Sequence, residues 1–174
     1  MNVRTRNRWL LLGGLVAAVA LVVYFLMPGE ERRVRARLDA LAETLGTPSK
    51  EPDLARLARV ARLRGYFADD AVIYFLDEGH APIRGRDEIV GLAHGALTQF
   101  GPFSVELLNV RIAIGEAASV ADVHLEGRLV SRDPEADPAT LDARSASLTL
   151  TKIDGTWLVS SARIGVRDDS IKAP

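Results

Sequence analysis

The sequence predicts an α+β domain, with three helices first and an antiparallel sheet last, carried behind a membrane helix. Three observations lead there. Residues 9–27 run for 19 positions without a charge. Three stretches between Glu30 and Phe100 repeat apolar residues at helical spacing. Four long runs from Phe103 onward have strand composition. Helices followed by a meander of strands form an α+β layer rather than alternating βαβ units.

The apolar run comes first in the chain. At about 1.5 Å per residue it reaches about 28 Å, close to the roughly 30 Å hydrocarbon core of a bilayer. Trp9 and Tyr24 suit the two interfaces, and Pro28-Gly29 ends the helix. "AVA" at 18–20 offers the rival reading of a cleaved signal peptide. Seven more apolar residues follow it, where a cleavable signal turns polar, so an anchor is preferred. Gly13/Ala17 and Gly14/Ala18 have small-xxx-small spacing, which an ordinary membrane helix also shows. Arg4, Arg6 and Arg8 precede the span, and Arg32, Arg33, Arg35 and Arg37 follow it, so charge counting alone does not orient it. A short basic head normally stays in the cytoplasm. The expectation is a basic head (1–8), a single-pass span of the inner membrane (9–27), a periplasmic or otherwise extracytoplasmic domain (30–166) and a polar tail (167–174).

The totals exclude several functions. With 22 basic and 23 acidic residues, nothing suggests a nucleic-acid binder. The absence of cysteine removes disulfides, thiolate catalysis and cysteine-based zinc sites.

In the first helix, Val34, Leu38, Leu41 and Leu45 make one stripe, and Gly46 and Pro48 end it. Its arginines beside the span could touch anionic lipid or simply be solvated. Asp53 is placed to cap a second helix with the stripe Leu57, Val60, Leu63 and Phe67, Leu54 and Ala61 flanking it. A strand over 71–76 and a short return strand over 80–83 form a hairpin, and Pro82 makes the return strand an edge. The third helix covers 85–100. Strands follow at 103–114, 119–131, 144–153 and 156–166, the last two joined by Asp154-Gly155, a strong hairpin signal.

Three segments carry a resemblance: "YFADDAVIYF", "IRGRDEIVGL" and "LTKIDGTWLVSSARI". With their order and spacing, the chain from about Arg32 to Val166 resembles the nuclear-transport-factor-2-like superfamily, which includes polyketide-cyclase-like (SnoaL-like) and steroid-isomerase-like domains. The resemblance implies a cone of three helices on a curved sheet, a pocket at its wide end, and frequent dimerisation through the sheet. It implies no reaction, since the fold hosts enzymes, binders and assembly domains.

No convincing acid–base set appears among the polar residues. Asp69 and Asp70 sit at a helix-to-strand junction, where carboxylates usually accept backbone N–H bonds. Asp77 and His80 flank a turn as a surface pair. His94 lies roughly 130° from the centre of its helix's apolar stripe and is expected to face solvent. His124 shares a strand face with Asp122, Glu126 and Arg128. The three histidines lack metal-ligand spacing, and "DPEAD" at 133–137 fails the calcium-loop pattern at Pro138 and Arg144. No nucleotide loop or Gly-x-Ser-x-Gly elbow occurs. Alternation puts Trp157, Val159, Ser161 and Arg163 on one face of the last strand, and Leu158, Ala162 and Ile164 on the other.

The candidate pocket residues are therefore Tyr74, Trp157, Arg163 and Asp70, with no catalytic residue, metal or cofactor assigned. The function expected is a membrane-anchored domain that binds a small ligand or partner protein without catalysis. A pocket enzyme of isomerase, dehydratase or cyclase type is the alternative, and a dimerising assembly domain is the third.

Overall fold

The computed structural model describes residues 29–48, 50–76, 81–99, 102–131 and 143–166. The basic head, the expected span at 9–27, the turn at 77–80, the acidic loop and the polar tail lie outside the described residues. Among the described residues no helix is long and apolar enough to cross a membrane.

The chain runs α1 (Glu30–Leu45), α2 (Asp53–Arg64), β1 (Phe67–Phe75), β2 (Ile83–Arg84), α3 (Arg86–Gln99), β3 (Phe103–Ile114), β4 (Val120–Ser131), β5 (Ala143–Ile153) and β6 (Thr156–Val166). The three helices pack on one six-stranded, curved sheet of order β2-β1-β6-β5-β4-β3. The sheet is not wholly antiparallel as the sequence predicts: β1 runs parallel to β6, and the other neighbours are antiparallel. Strands far apart in sequence carry no local signal of their pairing.

Side-chain alternation makes the layers. Ala121, Val123 and Leu125 of β4 point inward with Leu150 of β5, where Val34 and Leu38 of α1 and Leu63 of α2 complete the core. Asp122, His124 and Arg128 point outward. The outer face is polar and internally bonded. His124 Nδ1 lies 3.0 Å from Ser147 Oγ, Thr149 Oγ1 donates to Asp122 Oδ1 at 3.1 Å, and Arg128 pairs with Glu106.

Two irregularities change the parity. Asn109 takes φ 52° where β3 shifts register against β4, one extra residue placing both Leu107 and Ile112 inward. Ser160 is the extra residue in β6: Leu150 pairs with Val159, yet Thr149 pairs with Ser161. Its hydroxyl donates to Thr149 O at 3.0 Å and accepts from Thr151 Oγ1 at 3.1 Å. The face assignment from alternation is thereby corrected. Trp157 and Val159 lie inward with Ala162 and Ile164, while Arg163 lies outward.

Helix α2 also departs from expectation. Its residues Leu54, Leu57, Val60 and Leu63 are three apart, and three residues turn a helix by about 300°, so the row drifts about 60° per step. Leu63 consequently reaches the core fully buried, while Leu54 and Leu57 are 81 % and 64 % exposed. The same drift carries Arg59 inside. Asp53 is the first helical residue, not a cap; the cap position is Pro52, without a side-chain hydrogen bond. His94 of α3 is half-buried rather than solvated, its Nδ1 enclosed without a hydrogen-bond partner among the described residues.

The β5–β6 turn is as expected. Asp154 and Gly155 have φ of 49° and 78°, the two positive values of a type I′ turn. A Cβ on Gly155 would meet nothing within 4 Å, so a substitution there is penalised by backbone conformation and not by collision. Gly155→Val is expected to cost on the order of 1–2 kcal/mol in a urea melt. An unchanged midpoint would show that the turn does not need this conformation.

Candidate functional site

At the end of the cone away from the Asp154–Gly155 turn, the layers leave a cavity of about 330 Å³. That is near the lower bound of ordinary small-molecule pockets. Its floor is the inner face of the sheet: Phe67, Ile73 and Phe75 of β1, Leu148 of β5, and Val159, Ala162 and Ile164 of β6. The Ser160 bulge is what makes Val159 and Ala162 both face inward. Leu41 and Leu45 of α1 form one wall, and Ile89, Leu92 and Ala93 of α3 the other, with Ile83 at the β2 edge. Leu92 is 52 % exposed and marks the mouth. Among the described residues every lining side chain is a hydrocarbon, with no titratable group or hydroxyl. Such a chamber offers dispersion and desolvation but, from the described residues, no proton donor or acceptor.

None of the four sequence-chosen pocket residues lines it. Asp70 is exposed at the start of β1. Its neighbour Asp69 pairs with Arg86 at 2.5 Å, and Arg86 Nε also donates to Phe67 O at 2.9 Å, fastening α3 to β1. Tyr74 and Arg163 are register partners on the outer sheet face, the guanidinium 5.7 Å from the ring centroid. They meet on the side away from the cavity.

Trp157 is core. It is 3 % exposed, and its Nε1 donates to Glu30 Oε2 at 2.9 Å. Glu30 Oε1 accepts from Lys152 Nζ at 2.8 Å and from Arg33 Nη1 at 2.9 Å. These hydrogen bonds from Lys152 and Trp157, with the nearby cationic charge, hold the Glu30 carboxyl below its ordinary value of 4.5. Arg37 Nε donates to Trp157 O at 3.1 Å and Nη2 to Gly65 O, with the guanidinium 4.3 Å over the Tyr66 ring. The cluster fixes the start of α1 to the final hairpin. The sequence hints at it only through a strand tryptophan whose N–H needs an acceptor.

A larger hollow, about 660 Å³, lies over the C-terminal end of α1. Its buried polar groups are spent on one another. Arg59 Nε and Nη2 donate to both oxygens of Glu51 at 3.0 and 2.7 Å, and Nη1 donates to Gly46 O at 3.2 Å. Thr44 Oγ1 donates to Ala40 O at 2.7 Å and lies 3.2 Å from Tyr66 Oη. These contacts brace the helices, and the apolar cavity is the better candidate site.

No protein-family profile matches the chain, and no curated protein matches it. Solved structures do. A scytalone dehydratase candidate from Novosphingobium aromaticivorans is similar at TM-score 0.61 and 18% identity, over 78% of this chain and 82% of that one. An NTF2-like protein with a cystatin-like fold, also from Novosphingobium aromaticivorans, is similar at TM-score 0.58 and 16% identity, over 92% of each chain. The chain has the nuclear-transport-factor-2-like fold. Aln2 from a Streptomyces species is similar in the same way, at TM-score 0.64 and 11% identity, over 81% of this chain and 93% of that one. At these identities the likeness is one of fold alone.

Proposed function

We propose that this chain is a membrane-anchored binding protein whose nuclear-transport-factor-2-like cone takes up a small, uncharged, apolar molecule and catalyses no reaction on it. The observation that carries this reading is the hydrocarbon lining that the described residues give the 330 Å³ cavity. An apolar ligand there gains about 25 cal/mol for each Å² of apolar surface removed from water, whereas a polar ligand would lose its hydration without a partner. The enzyme reading needs Asp70, Tyr74 or Arg163 inside the cone, and they lie outside the cavity. The assembly reading needs a filled cone and a dry outer sheet, but the cone is hollow and the outer sheet is polar. Pairing of two copies through that face, if it accompanies binding, would be a wet contact built on groups such as His124, Ser147 and Thr149.

Anchoring rests on the uncharged residues 9–27, and the extracytoplasmic placement on the short head with Arg4, Arg6 and Arg8. The binding test uses residues 29–174, whose fold is checked first by circular dichroism. The neutral probe N-phenyl-1-naphthylamine is expected to bind saturably with enhanced fluorescence. Ala93→Phe, which places a ring inside the cavity, is expected to abolish that signal while the protein stays folded. A folded wild-type fragment that leaves the probe dark would overturn the reading.

A further inference from the structure

We propose that the outer surface of α1 and α2 docks on an anionic lipid bilayer, with α1 lying along the membrane rather than standing on it. This rests on the anchor reading above. The first observation is the face that α2 turns away from the core. Leu54 and Leu57 are strongly exposed, and Ala58 and Ala61 beside them are also exposed. The opposite side of the same helix buries Leu63 and Arg59. The helix thus carries apolar residues on both sides, and among the described residues only one side has a partner.

The second observation is charge. Residues 30–64 hold nine basic and six acidic side chains, whereas residues 65–174 hold ten basic and seventeen acidic ones. By sequence the helical pair is net positive and the remainder net negative; among its described residues the remainder holds seven basic and nine acidic side chains. Arg32 and Arg35 of α1, and Lys50 and Arg62 around α2, are exposed. Several acids of this surface already face arginines: Asp39 pairs with Arg35, Asp53 with Arg56, and Asp87 with Arg64. Glu31 and Glu43 are exposed as well, against Arg32, Lys50 and Arg62, which leaves this surface one charge positive. An anionic surface therefore attracts the helical side and repels the remainder, which orients the domain.

The third observation is where the chain outside the described residues ends. The uncharged run stops at Met27, and Pro28-Gly29 alone separate it from Glu30. Two extended residues span at most about 7 Å, so the start of α1 is held at the bilayer surface. Gly29 is extended, with φ −54° and ψ 156°, which breaks the helical path and permits a turn between span and α1. The exposed leucines lie beside the far end of α1: Arg59 of α2 bonds to Gly46, whereas Gly65 beyond α2 bonds to Arg37. Sixteen residues of helix are about 24 Å long, so Leu54 and Leu57 reach lipid only if α1 is laid along the surface.

Since the chain has no cysteine, Leu57→Cys creates a unique labelling site on the full-length protein. The nitroxide-labelled variant is reconstituted into phosphatidylcholine vesicles with and without phosphatidylglycerol. Power saturation then compares collision with oxygen and with a water-soluble nickel chelate. In anionic vesicles the oxygen-to-nickel ratio at position 57 is expected to exceed severalfold that of a Thr149→Cys label on the outer sheet face, and to fall in neutral vesicles. An aqueous ratio in both lipids overturns the docking. So does a label shielded from both reagents, which would mean a protein partner or a second copy. Equal insertion in both lipids overturns selection by charge. Protein that alkaline carbonate strips from the vesicles overturns the anchor and this docking together, whereas protein that stays with an aqueous label overturns the docking alone.

Discussion

Trp157→Ala is expected to destabilise the domain by about 3–5 kcal/mol, the usual loss for a buried large aromatic side chain. The indole is enclosed at 3 % exposure, and its N–H is satisfied by Glu30. Truncation removes packing, opens a void and withdraws one of the three donors that hold the Glu30 carboxylate. Trp157→Phe retains most of the packing and loses the hydrogen bond, so its loss should be smaller. Urea melts of both variants measure these differences. A Trp157→Ala protein as stable as wild type would remove the residue from the core. The pH dependence has a defined sign. Because Glu30 is held below its ordinary 4.5, its contribution is fully present above that value and fades as the pH falls through the lowered value. The stability difference between wild type and Glu30→Gln should therefore shrink on acidification below about 4.5, and its growth would contradict the assigned partners.

Much of the architecture was legible because it is written locally. The four long strands begin and end within one residue of expectation, since turns such as Asp154-Gly155 are defined by backbone chemistry at neighbouring positions. Helix α3 covers Arg86–Gln99 against an expected 85–100, and Gly85 with φ 90° marks its start. What was not legible is what depends on distant pairing or on one inserted residue. Parallel pairing of β1 with β6 joins segments about ninety positions apart and leaves no periodic trace. The Ser160 bulge reverses inward and outward for everything beyond it, and so removed Arg163 from the face of Trp157. The candidate site suffered most. A search for polar residues cannot find a cavity whose described lining has none. The apolar residues lining it look in sequence like any other core.

Arg59→Ala is the second large effect, also expected at about 3–5 kcal/mol, through a different mechanism. Arg59 and Glu51 are 5 % and 9 % exposed at their side chains, and both carboxylate oxygens receive guanidinium donors. Such a pair adds little over an apolar equivalent, because desolvating two charges offsets most of their attraction. Removing one partner is another matter, since Glu51 would remain enclosed with its charge uncompensated. Gly46 O, at the end of α1, would also lose its donor. The sign of a second substitution separates this account from simple loss of packing. Adding Glu51→Leu to Arg59→Met should recover much of the stability that Arg59→Met loses, because no unpaired charge remains. If packing alone mattered, the two losses would add, and a double-mutant cycle by urea denaturation reads the difference. Additive losses, or an Arg59→Ala protein that melts like wild type, would mean that the pair is solvated in solution and that α2 is held by its apolar contacts, Leu63 and Val60 among them.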